Sequence, residues 1–289
     1  MIDIIALLIA TAVIDSPLSH TSAAATSSAL KSTISAPAPM TPEQRLEKAK
    51  ALYEKGFDYE YGITKTVERT LADKFLKEAA DLGHADALFF LGMNAVESGD
   101  LEQARAYINS AIELGNMAGK YILGEISEQE YLGDFEELYK AGFKALKEKV
   151  EQGDLHYSNV LGYAYRFGIG TEENIKQAIK VFTPSAEQGN AMSLGHLSEL
   201  YLEQDKIEKA KPLMLKAAEK NNDVAQYNLG YSIYEAGSEE SLYWLNKAAE
   251  NNNLQAIMYL ASYYHNQDIK KAIYYYQKGA ELNDSQAML

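Results

Sequence analysis

From residue 42 onward, small and apolar side chains recur at helical spacing, and the recurrence itself repeats. Its register is set by Gly83, Gly115, Gly153, Gly189, Asn221, Asn252 and Asn283, separated by 32, 38, 36, 32, 31 and 31 residues. Gly and Asn take the left-handed backbone that closes a helix more readily than other residues, so this column predicts seven C-terminal caps. In the run Asn251-Asn252-Asn253 the middle residue is the cap and its neighbours read as turn residues. Nine residues after the first six caps stand Gly92, Gly124, Gly162, Ser198, Gly230 and Ala261, each preceded by a leucine. Eleven and four residues before the caps lie further small side chains, such as Ala72 and Ala79, Ala104 and Ala111, or Ala210 and Ala217. A separation of seven keeps both on one helix face, where a neighbouring helix can approach closely. Eight before the caps the residue is large, as in Phe75, Tyr107, Trp244 and Tyr275.

Each unit therefore reads as an A helix carrying the leucine–small pair, a turn, a B helix carrying the small face, and a cap. An earlier unit stands in KALYEKGFDYEYG, where Gly56, Tyr59 and Gly62 repeat the spacing of Gly162, Tyr165 and Gly168. Neither helix of a unit can bury its apolar stripe alone, so successive hairpins are expected to stack with a continuous core. The unit around Gly124 departs from the pattern: Ser127 replaces the tyrosine, EISEQEYLGDFEEL adds length, and Lys149 enters a small-residue column.

The stretches VAQYNLGYSIYEAG with SLYWLNKAAE, and VLGYAYRFGIGTEENIKQAIKVFTPSAEQG, closely resemble the Sel-one-like repeat (SLR), a tetratricopeptide-related module. The resemblance covers residues 42–289 and implies an all-α fold, a right-handed α-solenoid of about seven SLR helix-turn-helix repeats. It also implies a non-catalytic protein-binding scaffold or adaptor, with A helices lining the concave side and no cofactor. Bacterial members of the family are often periplasmic or secreted, and some are immunity proteins that neutralise toxic secreted phospholipases; for this chain that implies a secreted effector as one kind of protein partner. A branch with disulfide-linked hairpins is set aside, because the chain has no cysteine.

In an A helix the positions one, four and five after the small residue should point along the groove. They include Glu60, Glu97 and Glu125, and the candidate partner-binding residues Phe57, Tyr61, Met93, Tyr163, Arg166, Phe167, Glu199, Tyr231, Tyr234, Glu235 and His265. This is an aromatic and acidic lining, and aromatics supply large contact area at low entropic cost. Tyr59, Tyr165, Tyr201 and Tyr264 instead fall in an inter-helix packing column.

Composition narrows the function. A hydrophobic content of 47% suits a packed protein, and a net charge of −14 disfavours nucleic acid. Without cysteine there is no thiolate metal site or thiol nucleophile. The five histidines are never four apart, and HExxH and GxSxG are absent, so neither a metal site nor catalysis is expected; a cell-wall-acting enzyme is the weakest alternative. The run Ile4–Ile14 is too short to span a bilayer but suits a signal core, with Ala23–Ala25 as a cleavage zone. Asp3 stands where a basic residue is usual. Residues 1–25 are read as a signal peptide, 26–41 as a Ser/Ala/Pro linker, and the mature chain as periplasmic or secreted without a stable membrane span, cytoplasmic being the alternative.

Overall fold

Where each helix ends is decided at the repeated Gly/Asn column. Gly83, Gly115, Gly153, Gly189, Asn221 and Asn252 all have left-handed φ, 88°, 95°, 93°, 93°, 70° and 63°. The same pair of hydrogen bonds closes each turn. Asn252 donates its N–H to the Ala249 carbonyl at 3.1 Å and Asn253 to Ala248 at 2.9 Å, as Gly83 does to Ala80 and His84 to Ala79. Two orphaned helix carbonyls are thereby satisfied. The residue after the cap then starts the next helix: Asn190, Asn222 and Asn253 each accept a backbone N–H from three residues on, at 2.9, 2.8 and 3.0 Å. One dipeptide thus ends one helix and begins another. Asn283 does not join the series, because the last helix continues through it to Ala287.

The computed structural model describes residues 40–131 and 133–287. Its fourteen described α-helices are α1 (Pro42–Tyr61), α2 (Arg69–Asp81), α3 (Ala85–Glu97), α4 (Leu101–Glu113), α5 (Gly119–Gln129), α6 (Phe135–Glu151), α7 (Ser158–Phe167), α8 (Ile175–Glu187), α9 (Ala191–Leu202), α10 (Ile207–Glu219), α11 (Asp223–Asn228), α12 (Glu239–Glu250), α13 (Leu254–Tyr264) and α14 (Ile269–Ala287). They form seven hairpins, the odd-numbered A helices each packing on the following B helix. The expected leader and the linker up to residue 39 lie outside the described residues. Thr41 caps α1, exchanging hydrogen bonds with Gln44. No described helix is long and apolar enough to cross a membrane.

In the first six hairpins the B helix buries a large residue, and opposite Gly56, Gly92, Gly162 and Gly230 of the A helices that residue fills the space a side chain would take; in the seventh the equivalent residue, Tyr276, is 40% exposed. Leu76, Ile108, Leu146, Phe182, Met214 and Leu245, seven residues before the caps, are fully buried. A side chain at Gly92 would collide with Ile108 at 2.4 Å, and one at Gly162 with Phe182 at 2.4 Å. The large residues one position earlier are only partly buried and meet the tyrosine column: Tyr59 stacks on Phe75 at 5.9 Å and Tyr264 on Tyr275 at 6.0 Å.

Lys149 is tolerated in its small-residue column because its amine leaves the helix contact and pairs with Asp86 at 3.0 Å, over the Tyr157 ring. Asp86 also accepts from the Tyr157 hydroxyl at 2.6 Å and from Asn116 at 2.9 Å.

The first hairpin also touches the ends of the fourth and fifth. The loop after α1 lies against the turns that follow α8 and α10: Val67 N–H donates to the Lys220 carbonyl at 3.0 Å. The Lys220 amine in turn donates to the carbonyls of Gly62 and Ile63 at 2.5 and 2.7 Å. These carbonyls lie just past the C-terminus of α1, a place that favours a cation. The seam closes the stack on itself and encloses the N-terminal part of its A-helix side.

Candidate functional site

The expected groove residues divide into three groups. Those of α1 are core. Phe57 and Tyr61, one turn apart, are 2% and 3% exposed. Their rings lie 4.3 Å apart and meet Phe90 at 5.3 and 5.9 Å. His156, from the turn before α7, packs edge-on to Phe57 at 4.2 Å. The aromatic stripe of α1 is turned inward against α3 and that turn. Phe57 and Tyr61 are therefore corrected from partner-binding candidates to packing residues.

The second group ties A helices together. Arg166 on α7 donates to Glu199 of α9 at 2.7 Å and to Glu203, the residue that caps α9, at 2.5 Å, and its guanidinium lies 5.1 Å from the Phe167 ring. Burial pushes the Glu199 carboxyl up, but His196 and Arg166 outweigh it and hold it at about 2. These charges are spent on the A–A contact. Tyr163 and Phe167, 4.4 Å apart, shape the surface beside the clamp, with Phe167 exposed.

Carboxylates of the enclosed stretch behave in the opposite way. Burial raises Glu60 and Glu125 to about 7; Arg69 pulls Glu60 down, whereas the charge of Glu97 adds to the rise of Glu125. Glu97 is raised by burial as well, against the pull of Arg69. None of the three forms an ion pair within 4 Å among the described residues. Met93 is half-buried in the same row.

The third group is open. Tyr231 is 55% exposed, stacks on Tyr227 at 5.3 Å and meets Tyr259 edge-on at 5.6 Å. Tyr227 and Tyr259 were not expected at the site, because the groove positions were counted only forward from the small residue. The four-residue spacing of Tyr227 and Tyr231 was the signal that could have found them. His265 is exposed, with Tyr276 edge-on at 6.3 Å. Tyr234 departs from its expected place. A π-turn over Leu229–Ile233, closed by Tyr234 N–H on the Leu229 carbonyl at 3.2 Å, adds a residue and ends the helix early. Tyr234 is thereby extended, with its ring over Lys211 of α10 at 4.9 Å, and Glu235 lies exposed beyond the helix.

Chemically this face offers aromatic area and carboxylates. Among the described residues, no three His, Asp or Glu side chains are placed to hold a metal ion.

Six stretches of the chain, 49–84, 85–116, 159–190, 192–222, 223–253 and 255–284, match the family model of the Sel1 repeat. The unmatched interval contains the irregular third hairpin. Among solved structures, the chain is similar to a protective antigen of uropathogenic Escherichia coli strains displaying an SLR fold, with 26% identity and a TM-score of 0.48 over 83% of this chain and 55% of that one. It therefore spans about half of the antigen's length. It is also similar to a Sel1 repeat protein from Oxalobacter formigenes, with 21% identity and a TM-score of 0.50, over 83% of this chain and 73% of that one. An immunity protein from Pseudomonas aeruginosa matches at 17% identity and a TM-score of 0.41, over 83% of each chain.

Proposed function

The chain belongs to the Sel1 repeat family, and from that premise we propose that it is a non-catalytic scaffold that binds a protein partner on its A-helix face, the concave groove of the solenoid. The observation that carries this reading is the open tyrosine cluster. Tyr227, Tyr231 and Tyr259 come from two successive repeats, the first two stacked and the third edge-on to Tyr231, while Tyr231 keeps 55% of its surface in solvent. Rigid aromatic rings presented together are the usual anchors of a protein interface.

The test is capture of a partner from extract of the source cell by the immobilised chain, with the retained protein identified. Tyr231→Ala should weaken capture of that protein by about tenfold or more, as for an interface anchor. Tyr243→Ala, an exposed ring on the B helix α12, should leave it unchanged. Equal loss from both variants would remove the groove assignment. Arg166→Glu is a poor probe, because Arg166 joins α7 to α9 and its reversal would disturb the stack itself.

A narrower role has one observation in its favour: the apolar run Ile4–Ile14 with its small-residue cleavage zone supports export. An exported scaffold of this kind could serve as a periplasmic immunity protein, binding and silencing a secreted toxic hydrolase such as a phospholipase. That role requires the captured partner to be such an enzyme and to lose its activity in the complex.

A further inference from the structure

Besides Lys220, His156 ties α1 to a distant part of the stack. It stands in the turn between α6 and α7, with Nδ1 2.8 Å from Asp154 of the same turn and Nε2 3.2 Å from Glu54 of α1. Edge-on contacts with Phe57 at 4.2 Å and Tyr53 at 5.2 Å hold the imidazole between these oxygens. A neutral imidazole carries one N–H and one lone pair, whereas an imidazolium carries two N–H groups. Only the protonated side chain can therefore donate to both carboxylates. When the proton leaves, one nitrogen turns a lone pair toward a carboxylate. Asp154 keeps a second bond to this residue, accepting the His156 backbone N–H at 3.2 Å. The contact given up is thus the one to Glu54, across the stack.

The groups around the imidazole favour its proton. Glu54 faces it from α1, Asp154 from its own turn and Asp86 from α3, while Lys149 of α6 is engaged by Asp86 at 3.0 Å and Asp154 at 3.9 Å. Burial pushes the imidazolium down, but the hydrogen bond to Asp154 and the charges of Glu54, Asp154 and Asp86 outweigh it and raise the group above the ordinary histidine value. Tyr157 donates its hydroxyl to Asp86, and burial keeps it un-ionised. The other histidine here, His84, stacks on Tyr53 at 4.4 Å and accepts the Ala87 N–H through Nδ1, and burial lowers its pKa. His84 is thus built to be neutral where His156 is charged. The His156 side chain keeps 23% of its surface in solvent, on a cleft of about 370 Å³ shared with Glu54, Phe57, Asp154, Ser185 and Gln188. The last two come from the end of α8 and carry no charge.

We propose that His156 is a proton-operated latch: protonated, it holds α1 against the turn between the third and fourth hairpins, and on losing its proton it releases Glu54 and loosens the closure of the N-terminal stretch. The latch does not depend on where a partner binds. The folded chain holds this proton more tightly than the unfolded one, so the contribution of His156 is complete below the ordinary histidine value of about 6.5 and is lost as pH rises through the raised value. His84 acts in the opposite sense, its contribution being complete above about 6.5 and lost as pH falls through its lowered value. Closure is therefore firmest near the ordinary value and weakens on the alkaline side through His156.

The chain has no cysteine, so a single introduced thiol can report local opening. Ser158 is fully buried at the start of α7 and its hydroxyl has no hydrogen-bond partner, which makes Ser158→Cys a mild replacement. Reaction of that thiol with 4,4′-dithiodipyridine is followed in the full chain at pH 6 and pH 8.5, with and without Glu54→Gln, which neutralises a carboxylate that is 48% exposed. At pH 6 the glutamine variant should react about threefold faster than its parent, the effect of one partly exposed ion pair. At pH 8.5 that excess should be gone. The same excess at both pH values, or none at either, would overturn the latch. A thiol at Ser241→Cys, equally buried but in α12, should react at the same rate whether residue 54 is Glu or Gln. Acceleration there to match Ser158→Cys would mean that Glu54 acts on unfolding of the whole chain, and it too would overturn the proposal. A titration of the histidine ring signals by NMR checks the proton itself. The signal missing from His156→Gln should titrate above about 6.5 and move down in Glu54→Gln; a midpoint below 6.5 in the parent would leave the latch open at neutral pH and sink it.

Discussion

Asn251, Asn252 and Asn253 are three copies of one residue with three different tasks. Asn252 supplies the left-handed turn at φ 63°. Asn253 caps α13 through its side-chain oxygen and donates from its amide to Asp223 of the preceding repeat at 3.0 Å. Asn251 donates to Asn221 and Gln226, also one repeat back, at 2.7 and 2.8 Å. The cap was legible in the sequence because Gly or Asn recurs at that position. The bonds of Asn251 and Asn253 to the preceding repeat were not, since their partners lie 25 to 30 residues away and depend on how hairpins stack. The left-handed backbone at Asn252 makes substitutions there asymmetric. Asn252→Gly should leave stability nearly unchanged, while Asn252→Val should cost about 1–2 kcal/mol, because a β-branched residue is forced into left-handed backbone. Urea unfolding of both variants checks it, and equal midpoints would mean that the turn relaxes to another conformation.

At the scale of the helix pair, spacing located the elements well but singled out the bulky edge of the B helix, one residue away from the core contact. The bulky residues eight before each cap stood out because they are aromatic, yet the fully buried ones are the aliphatic and mixed residues seven before: Leu76, Ile108, Leu146, Phe182, Met214 and Leu245. One residue turns a helix by about 100°, enough to move a side chain from the core to the edge. Periodicity also could not register the π-turn that displaces Tyr234, because the repeat absorbs the extra residue and its cap-to-cap spacing, 31 residues, equals that of the next. The closeness of a hairpin can be tested at two glycines that both lie within helices. A Cβ at Gly142 would meet the backbone nitrogen of Tyr121 at 2.1 Å, whereas one at Gly279 would meet the flexible Met258 sulfur at 3.2 Å. Alanine gains about 1 kcal/mol of helix propensity at either site. Gly279→Ala should therefore be neutral or slightly stabilising, and Gly142→Ala should be destabilising by about 2 kcal/mol once separation of α5 from α6 is included. Thermal melts of the pair decide it; a stabilised Gly142→Ala would mean that the two helices can part at little cost.

For the whole molecule the decisive feature is the seam, and it is the part least visible in the sequence. Lys220 stands in KAAEKNN, where it reads as a solvated helix-end lysine, and the loop 62–68 reads as an ordinary turn. Only the accumulated curvature of the intervening hairpins brings them together. Once joined, they decide which groove residues are reachable: Phe57 and Tyr61 are sealed inside, Glu60 and Glu97 are enclosed, and Tyr231 remains open. Lys220→Met keeps the length of the side chain and removes the amine from the carbonyls of Gly62 and Ile63. Burial lowers the Lys220 pKa, so desolvation offsets part of the gain from those hydrogen bonds. The expected net loss is about 1 kcal/mol, the size of a cation at a helix C-terminus. The loss should fall on the seam rather than on the hairpins. Amide exchange should accelerate at Val67, whose N–H is bonded across the seam, but not at the caps of α12 or α13, and small-angle scattering should show a larger radius of gyration. If exchange at Val67 and the radius both stayed at their wild-type values, the backbone pair and the packing of α1 would be holding the ring closed without the ammonium. If both moved together, the width of the groove would be set by one lysine, and a partner could change that width by competing for it.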